Sequence, residues 1–121
     1  MAARLMLVVL LACYAALAAH AHTKLASSVP AAGAVLERPA TDIVLEFAEP
    51  VRLTAVTLTD AENGTHALDA LPQTPATRFT IGVRATLPAG EYVVAWRAVG
   101  ADTHLVSGEI PFRIAASAHS H

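Results

Sequence analysis

Downstream of residue 21 the chain alternates between apolar and polar positions instead of repeating every three or four residues. Ile43, Leu45 and Phe47 fall on one face of an extended segment, with Val44 and Glu46 on the other. Val56 and Leu58 alternate with Thr57 and Thr59, and Phe79, Ile81 and Val83 repeat the pattern. Successive side chains on a strand point to opposite faces, so this period of two predicts strands with one face in a core. The longest such runs are 91–99, where Tyr92, Val94, Trp96 and Ala98 share a face, and 108–114, which carries Ile110, Phe112 and Ile114. Asn63-Gly64 is a hairpin turn signal between an expected strand at 55–60 and a short one near 65–68. An opening strand near 24–28 brings the expectation to about seven short strands, an all-β sandwich or small barrel. Glycine and proline recur at short intervals from Pro30 to Pro111, which leaves no stretch for a substantial helix. Pro111 has no N–H to give to a ladder, so the last strand is expected at a sheet edge or with a bulge.

The first 21 residues do not share this pattern. Arg4 precedes an unbroken apolar run over 5–19, and Ala19-His20-Ala21 has the small-x-small form that signal peptidase reads. The run falls short of the roughly 20 residues of a membrane-spanning helix. A lipoprotein cut before Cys13 is the other alternative, since Leu10-Leu11-Ala12-Cys13 loosely resembles a lipobox, but it would leave only 5–12 as the apolar segment. The expected organisation is a signal peptide over 1–21, one β domain over 22–115 and a short disordered, histidine-containing tail over 116–121.

Removing the leader changes the chemistry available. Cys13, Met1 and Met6 all lie within it, so the mature chain has no sulfur. That excludes a disulfide scaffold, a thiolate metal site, a cysteine nucleophile and a thioether site together. The net charge of −2 becomes one unit more negative when Arg4 is lost, which argues against nucleic acid or an anionic membrane surface as partner.

Any metal site must therefore use nitrogen and oxygen. Asp102-Thr103-His104 lies between the two best strands, and i, i+2 spacing on an extended backbone would put both side chains on one side. Such a triplet alone is more often a loop Asp making a local turn beside a solvated His. Cleavage after Ala21 changes the balance, because a terminal His22 offers an α-amine and an imidazole on one residue. An amine with a pKa of about 7.7–8.0 yields its proton to a metal more readily than a lysine at about 10.4. Amine, His22, Asp102 and His104 make an N3O set, which suits tetragonal Cu(II), with Ni(II) as geometric runner-up and Zn(II) behind in affinity. His66 reads as a solvated strand-end residue, and His119 and His121 as a weak pair on the tail. Trp96 reads as a buried core residue, and Asn63-Gly64-Thr65 matches a glycosylation sequon.

The segment His22-Thr23-Lys24-Leu25-Ala26-Ser27-Ser28-Val29-Pro30-Ala31-Ala32-Gly33 resembles the mature start of the CopC family of periplasmic copper-resistance proteins. Trp96-Arg97-Ala98-Val99, followed by Asp102-Thr103-His104 and Ser107-Gly108, resembles that family's C-terminal signature. The resemblance implies a cupredoxin/immunoglobulin-like Greek-key sandwich or barrel in the periplasm, with one Cu(II) per chain held by His22, Asp102 and His104. It also implies a carrier or buffer role, with an inner-membrane copper importer of the CopD type as partner; the chain is expected to be a monomer and not an enzyme. The family's best-known members carry a methionine-rich loop for Cu(I), whereas the corresponding stretch here, 60–75, has no methionine. A Cu(I) site is therefore expected to be missing. Two other functions compete: a small copper oxygenase with a histidine brace, and an immunoglobulin-like interaction module with incidental metal binding. Against the oxygenase, Asp102 would fill a position that an oxygen-activating site keeps open. The exported protein should begin at His22 without lipid, which its intact mass will test; a mass beginning at Cys13 with acyl chains would overturn the terminal chelate.

Overall fold

Residues 24–116, those that the computed structural model of the protein describes, form seven strands and no helix. The expected signal peptide, His22 and the tail histidines His119 and His121 lie outside the described residues. In chain order the strands are β1 (Leu25–Val29), β2 (Ala34–Leu36), β3 (Asp42–Asp60), β4 (Thr65–His66), β5 (Ala76–Gly82), β6 (Gly90–Gly100) and β7 (Leu105–Ile114). They form one curled sheet in the order β1-β3-β6-β7-β2, with β4 and β5 also paired to β3.

β3 is the spine. Its first half pairs antiparallel with β1, Val29 opposite Val44, and with β5, Ile43 opposite Ile81. Its second half pairs with β6 from Val51 opposite Gly100 to Asp60 opposite Tyr92, and with β4, Leu58 opposite His66. One strand serves both sets of neighbours because its ladder toward β5 shifts register between Glu46 and Val51 and its ladder toward β6 between Leu53 and Ala55. The first shift contains Pro50, which has no N–H to contribute.

The second shift explains a phase change that the alternation alone does not. Buried side chains on β3 are odd-numbered up to Leu53 (Ile43, Leu45, Phe47, Val51, Leu53), whereas Leu58 is even-numbered. An extra residue in one strand of a pair turns the following side chains to the opposite face. The bulge near Thr54 thus keeps Leu58 in the same core as Ile43.

The core faces of the two halves meet through aromatic edges. Phe47 packs edge-on against Trp96, with ring centroids 5.1 Å apart, and against Phe79 at 6.0 Å. Tyr92 stacks on Phe112 at 5.5 Å. Leu45, Val94 and Ala98 are fully buried, and among the described residues no polar or charged residue is buried. Each large apolar side chain removed from water contributes about 1.5–3 kcal/mol, so this apolar layer is the main favourable term for the domain.

The all-β expectation holds, but the strands are divided differently. The segments expected separately at 43–47 and 55–60 are one strand of 19 residues, and Ala34–Leu36 forms a strand that was not expected. Val83 lies beyond β5 and bridges Leu68 instead. β7 is not a simple edge: β2 joins it as a parallel partner, but only along Phe112–Ile114. Pro111 sits just before that pairing, opposite Val93 in the β6 ladder, and its carbonyl accepts the Gly33 N–H at 2.7 Å.

Trp96 is 5% exposed and lies opposite Gly108, whose missing side chain leaves room for the indole. A Cβ at 108 would stand 2.9 Å from the indole ring, closer than real Cβ contacts come. Gly108→Ala should therefore destabilise the domain by about 1–3 kcal/mol, as overpacking of a tight core does. Denaturant unfolding followed by Trp96 fluorescence measures this; an unchanged midpoint would show that the ring shifts without strain.

Candidate metal centre

β6 and β7 are joined by Ala101-Asp102-Thr103-His104. The Gly100 N–H donates to His104 O at 3.0 Å and the Thr103 N–H to Gly100 O at 2.9 Å, while Thr103 has a left-handed backbone, φ 66°. This is the pattern of a three-residue hairpin whose third residue is left-handed. Asp102 and His104 are thus brought together by a turn and not, as expected from the spacing, by extended backbone. The Asp102 carboxylate folds back over Thr103. Its Oδ1 accepts the His104 backbone N–H at 3.3 Å, and its Oδ2 lies 2.8 Å from His104 Nδ1, which donates when it carries the proton. The imidazole first, and then that backbone N–H, hold the Asp102 carboxyl below its ordinary value. Both side chains remain about two-thirds or more exposed, 66% for Asp102 and 72% for His104.

A carboxylate and an imidazole held in this way can meet a cation by two routes. Both can ligate, or the imidazole can ligate through Nε2 while the carboxylate fixes the ring through Nδ1, as carboxylates commonly do behind metal-bound histidines. Two ligands do not make a tight site, and among the described residues no group of three or more His, Cys, Asp or Glu converges. The start of β1 lies at the same end of the sheet. Lys24 O accepts the Ala48 N–H at 3.2 Å and Leu25 pairs with Phe47, while three residues beyond Ala48, Val51 pairs with Gly100.

The second hairpin, between β3 and β4, repeats the same geometry. The Asp60 N–H donates to Gly64 O at 2.9 Å, the Asn63 N–H donates to Asp60 O at 3.0 Å, and Asn63 has φ 65°. Asp60 Oδ1 accepts the backbone N–H groups of Glu62 and Gly64, each at 2.9 Å, and Oδ2 lies 2.9 Å from His66 Nε2. His66 is therefore half-buried and partnered, not the solvated strand end expected of it. Its ring stands edge-on to Tyr92 at 5.6 Å, and the Tyr92 hydroxyl donates to Pro88 O. The Gly64 N–H, then His66, then the Glu62 N–H hold the Asp60 carboxyl below its ordinary value, while burial and then the Asp60 charge push Tyr92 up. Asp60 was not singled out in the sequence; the signal for it is a carboxylate placed just before an Asn-Gly turn, where it can accept loop amides.

The two pairs cannot share one ion. Asp60 lies opposite Tyr92 and the Asp102 loop follows Gly100, so they sit at opposite ends of β6. Eight residues of strand at about 3.3 Å each put roughly 26 Å between them.

The family model described as CopC domain matches residues 25–115. Copper resistance protein C of Pseudomonas syringae pv. tomato is 33% identical over 105 residues, which cover 79% of this chain and 82% of that protein. Copper resistance protein C of Escherichia coli is 34% identical over 109 residues, 82% of this chain and 86% of that protein. Among solved structures, CopC from Methylosinus trichosporium OB3b superposes with a TM-score of 0.71 at 20% identity, over 83% of this chain and 98% of that one, a likeness of fold. PcoC of Escherichia coli, described as a methionine-rich copper resistance protein, superposes with a TM-score of 0.63 at 35% identity, over 78% of this chain and 99% of that one.

The Asp60 shift predicts a pH dependence. A carboxyl whose folded pKa lies below its ordinary value of 3.8 stabilises the fold fully above that value, and the contribution is lost as pH falls through the depressed one. Asp60→Asn should therefore lower the thermal midpoint at pH 7, with the gap to the native chain closing toward pH 2. A gap of constant size across that range would show that the carboxylate charge does not hold this hairpin.

Proposed function

Because the chain belongs to the CopC family, we propose that its mature form is a periplasmic Cu(II) carrier or buffer that takes one ion at His22, Asp102 and His104. The observation that supports this most is the Asp102–His104 pair, already within hydrogen-bond distance at the end of the sheet where β1 starts. His22 precedes Lys24 by two residues, a reach of roughly 7 Å of extended chain. The terminal amine and the His22 imidazole supply a chelate, His104 a third nitrogen, and Asp102 an anionic oxygen that offsets part of the ion's charge.

The donor set argues for Cu(II) over Cu(I). Cu(I) prefers thioether and thiolate sulfur, and both methionines and the one cysteine of the chain lie within residues 1–21. The methionine-rich relative from Escherichia coli differs in this respect. A carboxylate in the set also fills a position that an oxygen-activating centre keeps open, which favours carriage over catalysis. The chain acts as a monomer and hands its ion to an inner-membrane importer of the CopD type.

Titration of the chain beginning at His22 against Cu(II) and Cu(I) chelators tests this. One Cu(II) per chain, with weak Cu(I) binding, is expected. His104→Ala removes a nitrogen ligand and should cost more than about 100-fold in Cu(II) affinity. Asp102→Ala removes an oxygen donor and should cost less than His104→Ala. One extra residue before His22 converts the amine to a non-basic amide and should weaken binding strongly, with altered nitrogen coupling in the spin-resonance spectrum. Equal affinities with and without that residue, or a loss on His66→Ala as large as on His104→Ala, would overturn the assignment.

A further inference from the structure

The two hairpins of this domain share one hydrogen-bond pattern and differ at the residue that bears the left-handed turn. In each, the first residue's N–H donates to the carbonyl four residues on, the fourth residue's N–H donates back to the first carbonyl, and that fourth residue has φ near 65°. At one end it is Asn63. Asparagine is among the few side chains that visit this region readily, because its short amide bonds locally. At the other end it is Thr103, a β-branched residue, for which positive φ is an outlier. Thr103 is exposed, so core packing does not require it, and its hydroxyl donates to the neighbouring Asp102 carbonyl.

Among the contacts that hold the closed loop are the two backbone bonds and the Asp102 carboxylate folded over Thr103 onto His104. Breaking those bonds would let Thr103 relax to extended backbone and carry His104 away from Asp102. The strained residue and the candidate ligand pair belong to one turn.

We propose that Thr103 is a positioning residue that shortens the residence of copper: its strained backbone eases opening of the Asp102–His104 loop and so speeds release of the ion. The proposal rests on the copper reading above. A residue at ease in the left-handed region should shift the loop toward the closed form by about five- to thirtyfold. Because only the closed form brings both ligands together, dissociation through opening slows by the same factor. Equilibrium affinity changes less wherever the closed form already dominates.

Thr103→Asn is the test, with Thr103→Val and Asn63→Thr as controls. In the metal-free chain, amide exchange at Gly100 and His104 should slow five- to thirtyfold in Thr103→Asn. It should stay as fast as in the native chain in Thr103→Val, which keeps the branching and loses the hydroxyl. Asn63→Thr should speed exchange at Asp60 and Gly64 and leave copper release unchanged. Release of Cu(II) into excess chelator should slow in Thr103→Asn by the factor seen in exchange, with an unchanged spin-resonance spectrum. Unchanged exchange in Thr103→Asn would overturn the strain; slowed exchange with unchanged release would overturn its role in copper exit. A chain that binds no Cu(II) in the titration fails the copper reading, whereas the strain is read from the metal-free chain and stands or falls there.

Discussion

The fold depends on β3 changing partners without ending. A strand that stopped at Pro50 would leave the half bearing β1 and β5 joined to the half bearing β6, β7 and β2 by the single pairing of Ala76 with Val51 and by loops. Running on through two register shifts, it carries one backbone across both halves and returns its side chains to the same core. The bulge near Thr54 is what makes this possible: without the extra residue, Leu58 would face solvent and its exposed neighbour Thr57 the core. Phe47 and Trp96 close the space between the halves, and Gly108 gives the indole its place. Position 108 on β7, the bulge on β3 and the aromatic contact form one mechanical unit, although they lie far apart in the chain.

That unit also places the candidate site. β6 is paired along its whole length, so its ends are fixed relative to the core. A turn at one end carries Asp102 and His104, and the Asp60 turn packs against Tyr92 at the other. In both, a carboxylate satisfies loop amides that would otherwise need water, and the same carboxylate orients a histidine two or six residues on. What separates the two is burial. The Asp60–His66 pair leans on Tyr92 and is part of the hairpin's structure, whereas the Asp102–His104 pair is mostly exposed.

The parts of this arrangement that were legible in the sequence are those with a local signal. Alternation in β6 and β7 reported which side chains face the core, and the D-x-H spacing reported which residues come together. The parts that were not legible depend on pairing at a distance. Pro50 reads locally as a strand break, yet on β3 it falls inside a register shift where no amide is needed. Ala34-Val35-Leu36 has no alternation to show; it is a strand because the end of β7 lacks a neighbour there. The two residues that bear the turns, Asn63 and Thr103, look alike only once the hydrogen bonds around them are known. His66 read as solvated because its partners, Asp60 and Tyr92, are set by the hairpin and by β6.

On the copper reading, the exposure of the Asp102–His104 pair is a functional feature and not a weakness of the fold. An ion fully enclosed by the core would have to disturb packed side chains to leave, and among the described residues no polar or charged residue is buried to receive it on the way. A site divided between an exposed turn and a chain terminus avoids that barrier. The turn brings two donors within 2.8 Å of each other, and on that reading a terminus at His22 supplies the other two. Affinity then comes from joining a fixed half to a tethered half, and release requires only that one half let go. Placing strain in the fixed half, at Thr103, acts on the step that a carrier most needs to be fast.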